Sequence, residues 1–268
     1  MVAIVTGASS GIGYQVCLQL LERGYTVYGI SRRGTVPGAG SDSSAGADAS
    51  RCFGISADVT DENALREAVA GVVAKEGRVD LLVANAGMGI SGPIEFTDAE
   101  AAHKIMNVNF FGAFYAAKAV LPYMREQRDG CIVFTSSVAA PIAIPYQAFY
   151  SSTKSAINSM ALALRNEVRD YNIRISAVMP GDSSTGFTDA REKQQNDAYP
   201  HCESAVAAME RDERGGIPPA KVASVIVKAA TKKNPAPLYV AGFKYRLLLA
   251  LYNILPTRTA VWLVGKFY

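Results

Sequence analysis

A doubly wound α/β fold, in which helices cover both faces of one parallel sheet, is predicted by three features of this sequence. Six short apolar runs of strand length, residues 2–6, 26–30, 53–57, 81–84, 131–135 and 173–178, alternate with stretches of helical periodicity. The runs are apolar throughout and do not alternate with polar residues, as expected of strands buried on both faces. A glycine-rich turn joins the first run directly to the first helical stretch, the connection used in βαβ units.

Taken in order, residues 2–6 form the first strand and residues 12–23 the first helix, followed by the strand at 26–30. Residues 34–50 are rich in Gly, Ser and Ala without apolar periodicity and read as a surface loop in place of a helix. The strand at 53–57 leads to a helix over 61–75, announced by the capping residues Thr60, Asp61, Glu62 and Asn63. After the strand at 81–84, Thr97 and Asp98 open a long helix over 98–127, long enough to pack between subunits, so a homodimer or homotetramer is expected. The strand at 131–135, a helix over 150–169 and the strand at 173–178 complete the regular pattern. Residues 183–216 are then polar and loosely patterned, and helical character resumes only near 219–232. Their place after the last strand suits a substrate lid, a plain surface insertion being the alternative.

Composition bounds the function. A chain of 268 residues with 49% hydrophobic and 19% charged residues is read as one globular domain, residues 1–268. The net charge of +3, from 27 cations against 24 anions, is too small and dispersed for a nucleic-acid surface. Cys17, Cys52, Cys131 and Cys202 lie far apart with no histidine set at ligand spacing, so they read as reduced packing residues and no metal is expected. Met1 is followed at once by an apolar strand pattern with no basic leader, which predicts a cytoplasmic protein.

The turn Thr6-Gly7-Ala8-Ser9-Ser10-Gly11-Ile12-Gly13 carries the first chemistry. Glycines there let the backbone approach a pyrophosphate, which the amides at a helix N-terminus stabilise. A plain tight turn is the alternative, but the position between strand one and helix one favours a dinucleotide site of the Rossmann type. The second strand ends in Ser31, Arg32 and Arg33 with no carboxylate to accept a bond from a ribose 2′-hydroxyl. Two guanidiniums suit a 2′-phosphate, so the expected cofactor is NADP(H); solvated loop charges are the alternative.

Tyr150 and Lys154 stand four apart at the start of a helix and so share a face. A phenol near its ordinary pKa of about 10 is a poor acid or base at neutral pH, and a nearby ammonium would lower that value. Ser137 lies just beyond the strand at 131–135, at the end of the sheet where open α/β folds place ligands. With Asp58-Val59, Asn85-Ala86-Gly87, Asn107-Val108-Asn109 and Pro180-Gly181 followed by Thr185, these motifs fall in an order that resembles the short-chain dehydrogenase/reductase family from residue 2 to at least residue 185.

The resemblance implies a carbonyl–alcohol oxidoreductase. It assigns Tyr150 to proton transfer, Ser137 to holding the substrate oxygen, Lys154 to the tyrosine and the nicotinamide ribose, and Asn109 to a water behind the lysine. Ser136 competes with Ser137 and is disfavoured by the interval to Tyr150. The resemblance places Asp58 and Val59 at the adenine edge, Asn85 with Ala86 and Gly87 beside the cofactor, and Pro180, Gly181 and Thr185 near the nicotinamide.

The tail over 243–268 contains apolar runs divided by Asn253, Pro256, Arg258 and Thr259, whereas spanning a bilayer takes about 20 apolar residues. Its basic and aromatic residues, Tyr268 among them, suit peripheral membrane contact, with packing over the substrate cleft or a neighbouring subunit as the alternative. Such a tail resembles those of hydroxysteroid and retinol dehydrogenase-like members and implies a hydrophobic, steroid-, retinoid- or lipid-like carbonyl or alcohol substrate. The competing reading of the whole chain is a non-enzymatic NADP-binding sensor or scaffold.

Overall fold

A computed structural model describes residues 1–36, 49–194 and 197–267. The first half of the chain runs β1 (Val2–Thr6), α1 (Gly11–Glu22), β2 (Thr26–Ser31), β3 (Cys52–Ser56), α2 (Glu62–Glu76), β4 (Leu81–Ala84), β5 (Ile90–Ser91), α3 (Ala99–Met106) and α4 (Gly112–Gln127). The second half runs β6 (Gly130–Thr135), α5 (Ala148–Glu167), β7 (Ile173–Pro180), β8 (Glu192–Lys193), α6 (Cys202–Arg214), α7 (Pro219–Thr231), β9 (Leu238–Ala241), α8 (Phe243–Ile254) and α9 (Thr257–Phe267).

Seven strands form one sheet in the order β3-β2-β1-β4-β6-β7-β9, and every pairing in it is parallel. Successive residues of each strand point to opposite faces and build two cores. Ile4, Leu82, Ile132 and Phe134 join Leu65 and Val69 of α2, Val120 and Met124 of α4 and Ile157 of α5. On the other face Val5, Val83 and Val133 meet Val16 and Leu20 of α1 and Ile226 and Val227 of α7. The inner strands β1, β4 and β6 are thus buried on both sides, which is why their sequences read as continuous runs.

The structure departs from the sequence expectations in five places. The third strand is Cys52–Ser56, one residue earlier than expected. The helix expected over 98–127 is α3 and α4 joined by a π-helical turn, Asn107–Phe111, a local widening that hydrophobic periodicity does not reveal. Helical character returns before residue 219: α6 lies inside the polar segment, its Cys202, Ala205, Val206 and Met209 forming a buried i, i+3, i+4, i+7 stripe diluted by charged neighbours. β9 is an edge strand of four residues behind Pro235 and Pro237, too short and too near breakers to announce itself. The pair of two-residue strands β5 and β8 also gives no pattern. Of the expected loop over 34–50, residues 37–48 lie outside the described residues, as does Tyr268. Among the described residues no helix is long and apolar enough to cross a membrane.

Candidate active site

Strand order reverses between β1 and β4: the chain builds outward through β2 and β3 on one side, then returns to build through β4, β6 and β7 on the other. Loops diverge at such a point and leave a crevice at the carboxyl ends of the strands. A cavity of about 760 Å³ occupies it, and one continuous wall carries Gly7, Ser10, Arg32, Ser137, Tyr150 and Lys154.

The turn after β1 needs its glycines. Gly7 and Gly11 have φ of +67° and +56°, the left-handed region that only glycine adopts without strain. A Cβ on Gly13 would stand 2.3 Å from the Gly7 carbonyl oxygen and 2.7 Å from Asn85 Nδ2, so α1 can start this close to the sheet only because that side chain is absent. Gly13 therefore stands behind the wall, while Ser9, Ser10, Gly11 and Ile12 line it. Ser10 caps α1 without a side-chain hydrogen bond, which leaves the first-turn amides free for an anion.

At the end of β2, Ser31, Arg32 and Arg33 all face the cavity. Arg33 Nη2 donates to Ser9 Oγ at 3.1 Å, tying this segment to the glycine turn. Ser31 Oγ is buried without a hydrogen-bond partner among the described residues, an orphan polar atom beside two guanidiniums. Asp58 and Val59 line the same end. The Asp58 carboxylate accepts from Thr60 N and Thr60 Oγ1 at 2.9 and 2.8 Å and so shapes the turn before α2, whereas the cap of α2 is Asp61. Asn85 ties three strand ends together: its Nδ2 donates to the Thr6 carbonyl at 3.2 Å and its Oδ1 accepts from Thr135 Oγ1 at 3.2 Å. Ala86 and Gly87 continue the wall, and Pro180, Gly181 and Thr185 close it from β7.

Tyr150 and Lys154 project from the first turns of α5, and Ser137 follows the end of β6. Burial pushes the Tyr150 phenol up to about 12, and a hydrogen bond with the Ser137 side chain only partly opposes it. Burial also lowers the Lys154 ammonium to about 8. The net direction is upward, opposite to the lowering expected from the lysine, because burial dominates. Lys154 Nζ donates to the Thr135 carbonyl at 2.9 Å and stands 5.7 Å from the Tyr150 ring centre. Ser136, the weaker candidate, donates from Oγ to the Lys154 carbonyl at 3.2 Å and supports α5.

Asn109 sits in the π-helical turn, fully buried, and is not part of the cavity wall. Its Oδ1 accepts from Met88 N at 2.8 Å, and its Nδ2 donates to the Met88 carbonyl at 3.0 Å and to Thr153 Oγ1 at 3.1 Å. Protein groups thus engage both polar atoms of the side chain, and the residue clamps the loop after β4 to α5.

Comparison with known proteins accords with this geometry. The profile of the short chain dehydrogenase family matches residues 1–196. The chain belongs to the short-chain dehydrogenase family. It is 38% identical over 239 residues to a 3-ketodihydrosphingosine reductase of Bacteroides thetaiotaomicron, covering 87% of this chain and 85% of that protein. A short-chain dehydrogenase of Streptomyces avermitilis superposes with a TM-score of 0.84 at 30% identity, over 94% of this chain and 91% of the other. The structure described as ElxO with NADP bound superposes with a TM-score of 0.76 at 28% identity, over 92% and 98%.

In this short-chain dehydrogenase, residues that the sequence did not tie to the site pack at or beside the cavity from the expected lid and the tail. The Phe187 ring lies 5.7 Å from that of Tyr150, centre to centre. Glu213, at the end of α6, lines the cavity, accepts from Thr188 Oγ1 at 2.7 Å and is paired with the buried Arg191. The Tyr245 hydroxyl of α8 donates to Asp182 Oδ2 at 2.5 Å, and its ring packs so closely on Gly181 that a Cβ there would stand 2.2 Å from it. These partners are 22 to 63 residues apart in sequence, a separation no local pattern can bridge.

Proposed function

We propose that this short-chain dehydrogenase is an NADP(H)-dependent oxidoreductase that interconverts a carbonyl and an alcohol on a hydrophobic substrate. The observation that carries the reading is the single wall on which the glycine turn, the arginines after β2 and the Ser137, Tyr150 and Lys154 set face one space. The donors fit a dinucleotide: α1 offers free amides for a pyrophosphate, and Arg32 and Arg33, with the unpartnered Ser31 Oγ, suit a 2′-phosphate where no carboxylate stands. The neighbour described with NADP bound supports that choice. The relative named for reducing 3-ketodihydrosphingosine supports a lipid-like ketone.

A nicotinamide supplies or accepts hydride when bound. The chain's own residues handle the proton and the charge. Tyr150, with its phenol held protonated at neutral pH, is set to donate to a carbonyl oxygen, the reductive direction. Ser137, already hydrogen-bonded to Tyr150, steadies negative charge on that oxygen. The Lys154 ammonium stays positive at neutral pH and would donate to the ribose hydroxyls of a bound cofactor from the same helix face. Asn109 positions Met88 and α5 behind this set. Phe187 packs beside the phenol, and Glu213, paired with Arg191, lines the same cavity.

Tyr150→Phe tests the reading. NADPH oxidation against a panel of hydrophobic ketones is expected to fall at least about a thousandfold while the Kd for NADPH changes little, because only the proton donor is removed. Turnover near the parent rate would remove Tyr150 from this role. Parent protein that binds NADPH but oxidises it with no member of the panel would favour the sensor or scaffold reading.

A further inference from the structure

The C-terminal helices α8 and α9 are apolar on two sides, and only one of these sides is used among the described residues. Tyr245, Leu249 and Tyr252 of α8, with Val264 of α9, pack on Val138, Ile142 and Met179 at the end of the cavity. On the outer side Phe243, Leu247, Leu251 and Ile254 recur at the i, i+4, i+8, i+11 spacing of one helical stripe and are 80, 55, 50 and 76% exposed. Trp262 of α9 adds a further large apolar side chain, 60% exposed. A contiguous stripe of this size marks an interaction surface.

Charge decides what covers it. Beyond Glu213 the sequence contains no Asp or Glu, and the two helices themselves carry Lys244, Arg246, Arg258 and Lys266. Two copies stacked stripe to stripe would bring these cations together with no carboxylate to pair them. An anionic lipid surface accepts both features, since the apolar side chains enter the boundary between headgroups and acyl chains while the cations meet phosphates. The helices have 12 and 11 residues, a length that lies along an interface and does not cross a bilayer. We infer that α8 and α9 dock this protein onto the surface of an anionic phospholipid membrane through the stripe of Phe243, Leu247, Leu251 and Ile254. The inference stands on these two helices alone and does not depend on the proposed reaction.

Sedimentation of the full chain with vesicles tests it. Phosphatidylcholine vesicles containing about 30% phosphatidylglycerol are expected to bind at least about tenfold more protein than pure phosphatidylcholine. Raising salt to about 0.5 M, which shortens the screening length to about 4 Å, should remove most of that preference. The double variant Leu247→Glu/Leu251→Glu should lose binding while its circular dichroism and melting curve match the parent. Lys244→Gln/Arg246→Gln, which leaves the stripe intact, should lower the preference for anionic vesicles several-fold. Equal partition onto both vesicle types, or undiminished binding by the glutamate variant, would overturn the inference. So would a parent dimer in light scattering that the glutamate variant dissolves while neither protein binds vesicles, which would assign the stripe to a second copy.

Discussion

Tyr150 and Lys154 are held in opposite ways by the same desolvation. Burial keeps the proton on the phenol up to about 12 and loosens the proton on the ammonium to about 8. At neutral pH both groups are protonated, the state that reduction needs. As pH rises, the lysine titrates first and its charge is lost through about 8, well before the phenol responds. The kcat/KM for ketone reduction by NADPH is therefore expected to be level near neutrality and to fall as pH passes about 8, read from a pH–rate profile of the free enzyme. A profile level to pH 10 would separate Lys154 from turnover. The pairing of these two residues with Ser137 was legible from spacing and motif order. The direction of the phenol shift was not, because desolvation depends on what covers α5 from distant parts of the chain, including Phe187 and Glu213.

Elements differ in how far a single position constrains them, and the glycines show the contrast. Gly13 begins α1 against the Gly7 carbonyl and Asn85, so an added methyl group must displace helix or strand. Gly71 lies exposed in the middle of α2, where a Cβ would meet nothing within 4 Å. In urea unfolding, Gly13→Ala is expected to destabilise the protein by about 2 kcal/mol or more through overpacking. Gly71→Ala should stabilise it by about 0.5–1 kcal/mol through reduced chain entropy. Similar effects of the two substitutions would end the close-packing account of the turn. The same logic explains which elements could be read in advance. β1, β4 and β6 are buried on both faces and therefore wrote themselves as apolar runs, whereas α6 buries one stripe under charged neighbours and β9 follows two prolines.

At the scale of the whole molecule, one sheet from β3 to β9 joins both halves of the site, so a cofactor bound across it should stabilise the fold as a unit. NADPH at about a hundred times its Kd should add about 2.7 kcal/mol, or about 5–10 °C in melting temperature for a chain of this size. NADH at the same concentration should shift the melt less, and Arg32→Ala should bring the two shifts together by removing a 2′-phosphate contact. Equal shifts in the parent protein would remove that assignment. By itself the sequence determined the parallel α/β fold and the glycine turn, each encoded by neighbours within one turn, one strand or one helix, and the order of its motifs pointed to Ser137, Tyr150 and Lys154. Only the tertiary structure decided that Asn109 clamps Met88 and Thr153, that Phe187 packs beside the phenol while Glu213 pairs with Arg191, and that α8 turns one apolar face to Val138, Ile142 and Met179 and the other to solvent. Those contacts join residues far apart in the chain, and their energies depend on burial, which exists only once the sheet has assembled.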